Sequence, residues 1–277
     1  MRLRSPLFRL VLGLALALTA VTAASAQEIK GSVLEPTPAN LNLTWRGAQV
    51  VLPAGAAGPE IWQGKLAELP AVSGRWPVAV VMHGSSGVAG FISEYQRWLA
   101  AELKLASVAP DSLAIPDRLT YKSPVAIEVY ERVHALRAAE LANALKGLKG
   151  TAWADAGRLV VIGTSEGSVP VARSADPDTA GRILYAWSCE KNYFVANPDT
   201  AIPAATPVLN AIASRDPFFS RDNPWNAGMA IDGSCAQALK SHTAAAVYLT
   251  VSDKHTIINQ EDVRGVTAAF LRRVLGR

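Results

Sequence analysis

At residues 163–167 the chain reads Gly-Thr-Ser-Glu-Gly, one serine held between two glycines. The apolar run RLVVI, 158–162, precedes it, and a short helix-like segment, SVPVA, follows. A serine hydroxyl is a weak nucleophile. It attacks a carbonyl only when it is exposed, beside a base, and near donors that stabilise the oxyanion. A sharp strand-to-helix turn lifts Oγ clear of a sheet. The glycines avoid side-chain clashes there, and the backbone N–H of the next residue, Glu166, points at the developing charge. The chemistry such a turn serves is acyl transfer. A base, a carboxylate behind it and a second oxyanion donor must come from elsewhere in the chain.

The elements that would position these groups alternate. VAVVMHG, 78–84, reads as a strand buried on both faces. SEYQRWLAAELKL, 93–105, carries Tyr95, Trp98, Leu99 and Leu103 at helical spacing, and ASVAPDS, 106–112, predicts the next strand. A long amphipathic helix is expected over 124–150, ending at Gly147 or Gly150. Residues 158–163, 182–188, 207–216 and 244–253 read as further strands, and NQEDVRGVTAAFLRRVLG as a closing helix. Near the start, ANLNLTWRGAQVVLPAG, 39–55, alternates and predicts a two-stranded hairpin. Parallel strands need crossovers, usually helices, so the pattern predicts an α/β fold with a mostly parallel central sheet.

Residues 1–9 carry Arg2, Arg4 and Arg9 and no acid. An apolar run, 10–21, and Ala24-Ser25-Ala26 follow. This predicts a signal peptide over 1–26, too short in its apolar part to span about 30 Å of hydrocarbon. The expected mature chain, 27–277, is one α/β domain, exported to the periplasm or the medium, with no stable membrane insertion. The formal charge of +4 mostly belongs to the leader; without it 24 basic residues face 23 acidic ones. That balance, with no long basic run, argues against a nucleic-acid partner. Cys189 and Cys235 are the only cysteines. In an oxidising compartment such a pair is expected to bridge, the alternative being two separate buried thiols.

GTSEGS after one strand, HGSSG, 83–87, after an earlier one, and an Asp and a His after later strands resemble the α/β-hydrolase fold. The closest likeness is to secreted, serine-bearing members of the dienelactone hydrolase group, over about residues 60–275. Dienelactone hydrolase itself carries cysteine where this chain has Ser165. The resemblance implies the order Ser, acid, His. It makes His255, in VSDKHTI after the last strand, the base; His83, His134 and His242 stand elsewhere in that order. It makes Asp216, ending PVLNAIASRD, the acid, with Asp222, Asp232 and Asp253 as rivals. The second oxyanion donor is expected from the backbone N–H of Ser85, or else Ser86. His83 reads as structural.

The reaction so implied is hydrolysis of a carboxylic ester or lactone through an acyl-enzyme. It requires no metal or organic cofactor. The same triad serves amidases and peptidases, so the substrate, a small molecule or a polymer, stays open. A non-catalytic binding protein on the same scaffold is a third reading. Trp187, Tyr193, Phe194, Phe218, Phe219 and Trp225 are candidates for a pocket wall that a Cys189–Cys235 bridge would fix.

Overall fold

The structure, a computed structural model, describes residues 28–276. The expected leader, 1–26, lies outside the described residues. The strands are β1 (Ile29–Lys30), β2 (Gln49–Leu52), β3 (Trp62–Lys65), β4 (Trp76–Met82), β5 (Ala106–Ala109), β6 (Thr120–Tyr121), β7 (Ala154–Thr164), β8 (Gly181–Tyr185), β9 (Val208–Ala213) and β10 (Ala245–Thr250). The α-helices are α1 (Pro38–Arg46), α2 (Gly90–Leu103), α3 (Ile127–Lys149), α4 (Ser168–Arg173) and α5 (Glu261–Val274).

Eight strands form one sheet in the order β10-β9-β8-β7-β4-β5-β2-β3. Every pairing from β10 to β5 is parallel, while β2 and β3 run antiparallel at one edge. Alternation along the central strands serves two cores. Val78, Val80, Met82, Leu159 and Val161 face one, with Tyr130, Leu141, Leu145 and Leu148 of α3 and Val169 of α4. Ala79, Val81, Val160 and Ile162 face the other, with Ile92, Tyr95 and Leu99 of α2 and Phe270 and Leu271 of α5. Each face of a strand thus finds an apolar partner, which is why these runs are hydrophobic without a polar side.

The expected hairpin over 39–55 is wrong in its first half. Thr37 caps a helix by accepting the Asn40 N–H at 3.2 Å, and Pro38 sits in the first turn, where its missing N–H costs nothing. Trp45 then packs on α3: a Cβ on Gly147 would come within 2.7 Å of the Trp45 ring. Gly147 is therefore a contact site inside α3, and Gly150 is its cap. β2 pairs instead with β3 on one side and with β5 on the other.

Cys189 and Cys235 form a disulfide, separated by 46 positions and both buried. Closing a loop of that length stabilises by about 4 kcal/mol in the chain-entropy model. Reduction, or the double replacement of both cysteines by serine, is expected to lower the melting temperature by roughly 8–16 °C, read by differential scanning calorimetry. An unchanged transition would mean that the bridge constrains nothing.

Candidate active site

The register of the sheet brings the two glycine-bearing turns together. Met82, the last residue of β4, pairs with Gly163 of β7, so the HGSSG loop leaves beside the serine turn. Both leave at the carboxyl ends of parallel strands, where open α/β sheets place their sites.

Ser165 has φ +53°, the left-handed region, which costs a non-glycine residue about 1–3 kcal/mol. The glycines around it admit no side chain. A Cβ on Gly163 would overlap the carbonyl of Gly167, and one on Gly167 would overlap the carbonyls of Met82 and His83. Gly84 approaches from the other turn: its Cβ would stand 3.3 Å from Ser165 Cβ. The serine is thus held on a bend that closes directly on the end of β4.

His255 and Asp216 come from the loops after β10 and β9, which are paired at Thr250 and Ala213. His255 Nδ1 lies 2.8 Å from Asp216 Oδ2. The other carboxylate oxygen accepts the N–H groups of Phe218 at 2.8 Å and Phe219 at 3.1 Å, so Asp216, fully buried, cannot turn. A proton on Nδ1 donates to the carboxylate, which leaves Nε2 as the basic nitrogen. Asp222, Asp232 and Asp253 are exposed, and Asp232 faces Arg221 at 3.7 Å. The other histidines lie apart: His242 bonds the Ile202 carbonyl, and His134 is buried against Tyr130 and Phe194.

Ser165 and His255 line one cavity of about 90 Å³, together with Gly84, Ser85 and Ser86 of the HGSSG loop. Its walls are Phe91, Tyr121, Tyr193, Phe194, Phe218 and Phe219. Four of the six aromatics expected to shape a pocket are here. Trp225 stands behind them, 5.1 Å from the Tyr193 ring, and Trp187 is fully buried in the core. The disulfide anchors the chain four positions before Tyr193. A larger concavity, about 990 Å³, lies beside Cys189 and His242 and includes neither Ser165 nor His255. The small cavity is the one that Ser165 and His255 share.

The sequence reading missed what lies beneath. Glu166 is fully buried. Its carboxylate accepts from Arg118 Nη2 at 2.9 Å and from the Tyr121 hydroxyl at 2.6 Å. Burial pushes this carboxyl up, but Arg118 and Arg137 outweigh it and hold the group at about 2. His83 is structural in detail. The Ser112 N–H donates to its Nε2 at 3.1 Å and Arg137 stands 3.2 Å from the same atom, so Nδ1–H donates to the Gly84 carbonyl at 2.6 Å. Arg137 and Glu140 were visible as charges three residues apart on the apolar stripe of α3, among Val133, Leu136 and Leu141.

Burial, helped by Arg137, drives the His83 ring well below its ordinary range, and burial lowers His134 as well. The folded His83 ring stays neutral and the folded His134 ring resists protonation, whereas the unfolded chain protonates both below about pH 6.5. Stability present above that pH is therefore lost as pH falls. Glu166 adds a further loss below about 4.5, its unfolded value. The melting temperature is expected to decline from pH 7 to pH 5, with the Glu140 carboxyl, which burial raises, offsetting part of the loss. A flat or rising curve across that window contradicts the neutral rings.

No family model and no curated protein matches the sequence. Solved structures do match its fold. A dienelactone hydrolase-like promiscuous phosphotriesterase from metagenomic libraries aligns with TM-score 0.55 at 16% identity, over 82% of this chain and 98% of that one. The Thermus thermophilus protein TT1662 gives 0.52 at 17%, over 74% and 91%. Esterase PE8 gives 0.51 at 17%, over 81% and 97%. The chain has the α/β-hydrolase fold. Within this fold, the bend at Ser165 occupies the strand-to-helix turn between β7 and α4.

Proposed function

We propose that the protein is an exported serine hydrolase that cleaves short, uncharged carboxylic esters through an acyl-enzyme. One observation carries this reading: the His255–Asp216 pair, at 2.8 Å, opens on the same cavity as a serine held at φ +53°. His255 Nε2 takes the Ser165 proton as Oγ attacks the carbonyl. The backbone N–H groups of Glu166 and Ser85 hold the oxyanion. His255 then protonates the leaving alcohol, and activates the water that releases the acid. Asp216 keeps the imidazole in the required tautomer and stabilises its charged form. The leader expected at 1–26 and the disulfide support export to an oxidising compartment. The neighbours described as an esterase and as dienelactone hydrolase-like support ester chemistry.

The cavity supports the acyl preference. At about 90 Å³ the cavity is small, and its aromatic walls favour a short acyl group. No lysine or arginine lines it, so an acyl carboxylate would be buried without a counter-charge. Phe194 and Phe219 are 3% and 2% exposed and pack on each other, so the wall has nowhere to yield. One methylene in such a pocket is worth about 10–200-fold. On the mature chain, kcat/KM for p-nitrophenyl esters is expected to fall at least about 10-fold from acetate to butyrate and again to octanoate. The matching anilides report amidase activity. Equal or faster turnover of octanoate contradicts the short-acyl assignment.

A further inference from the structure

The proposed mechanism leaves several buried ionisable groups unused, Arg137 among them. Arg137 lies on α3 and is fully buried. Its Nη2 donates to the His83 carbonyl at 2.8 Å, and its Nη1 donates to Glu140 Oε2 at 2.7 Å. Nη1 also stands 3.2 Å from His83 Nε2. Its Nε lies 3.5 Å from Glu166 Oε1, an ion pair rather than a hydrogen bond. His83 opens the HGSSG loop, and Glu166 follows the serine. One planar guanidinium therefore touches both turns that meet at Ser165.

We propose that Arg137 is a positioning residue: a strut that sets the spacing between the two backbone oxyanion donors, the N–H groups of Glu166 and Ser85. This rests on the serine-hydrolase reading. Oxyanion donors work by being aimed before the charge develops, so their spacing must be held by something stiffer than a loop. The far side of Glu166 is fixed in the same way, by Arg118 and by the Tyr121 hydroxyl. Arg118 is itself tied to the Ser112 hydroxyl at 3.1 Å and to the Leu119 carbonyl at 2.8 Å. Two guanidinium groups and two carboxylates, Glu140 and Glu166, are thereby removed from water. Stability does not demand this, because well-packed apolar residues often do as well as buried ion pairs. Apolar residues would not hold the His83 carbonyl and the Glu166 carboxylate at one fixed distance. A fork of five N–H donors does, and a lysine does not reproduce the fork.

The test compares the mature wild type with Arg137→Lys and Tyr121→Phe on p-nitrophenyl acetate and on its thiono analogue. Sulfur accepts hydrogen bonds poorly, so the oxygen-to-sulfur rate ratio reads the aim of the donors. Arg137→Lys is expected to lower kcat about 10–100-fold, to change KM little and to reduce that ratio, approaching the loss of one oxyanion donor. Tyr121→Phe keeps the ring and removes one hydrogen bond to Glu166; it is expected to move kcat and the ratio the same way, by less. If Arg137→Lys does not fold, Tyr121→Phe decides alone. Folded variants with wild-type kcat and ratio, and only a lowered melting temperature, overturn the strut. A folded wild type with no Ser165-dependent hydrolysis removes the hydrolase reading, and the strut with it.

Discussion

Ser165→Ala is expected to lower kcat for p-nitrophenyl acetate by roughly 10⁵–10⁶-fold, the scale on which a serine nucleophile's removal acts. The substitution deletes one oxygen atom. It should leave the fold intact, because the bend asks little of a methyl side chain: Ala186 holds φ +50° in the same protein. The donors proposed at Glu166 and Ser85 stay in place, so a residual rate of about 10³-fold over water is expected to survive. The check is steady-state kinetics beside a melting curve. A folded alanine variant that retains more than about a tenth of the activity would place the chemistry on another group, since loss of a nucleophile acts on the much larger scale above.

Asp216→Asn carries the second largest expected effect, about 10⁴-fold in kcat. Asparagine fits the space, and its carbonyl still accepts the Phe218 and Phe219 N–H groups now bound at 2.8 and 3.1 Å. Its amide then faces His255 Nδ1, where the carboxylate stood at 2.8 Å. An N–H donor at that point makes Nδ1 the acceptor and moves the ring proton to Nε2. A protonated Nε2 cannot take the serine proton, so the ring is present but in the wrong tautomer. The expected signature is a collapse of kcat with little change in KM or melting temperature. A loss below about 10-fold would remove Asp216 from the acid's role, because a tautomer error of this kind acts on the larger scale.

What was legible in the chain follows the range over which each signal acts. The parallel strands show because burial on both faces leaves runs such as VAVVM and LVVIG with no polar register. The serine turn shows because two positions of one pentapeptide demand glycine: a Cβ on Gly163 would meet Gly167 and Ser168, and one on Gly167 the end of β4. Helix α1 was misread because Leu41, Leu43 and Trp45 alternate, while the Thr37 cap and the docking of Trp45 on Gly147 decide the outcome. The proposed base and acid needed the order of a known fold, since nothing in the sequence near His255 or Asp216 marks them as partners. The ion network was hidden for a similar reason. Arg118, Tyr121, Arg137 and Glu166 are spread over 48 positions, and only packing brings them together. The charges of Arg137 and Glu140 inside an apolar stripe were the visible sign.

The central claim is that Ser165 is an activated nucleophile, and covalent capture tests it most directly. The protein is treated with a fluorophosphonate, weighed intact by mass spectrometry and mapped by peptide. The account predicts one adduct per chain on the peptide that carries Ser165, formed far more slowly in His255→Ala. A folded wild type that takes up no adduct, or takes it up on another residue, would contradict the account.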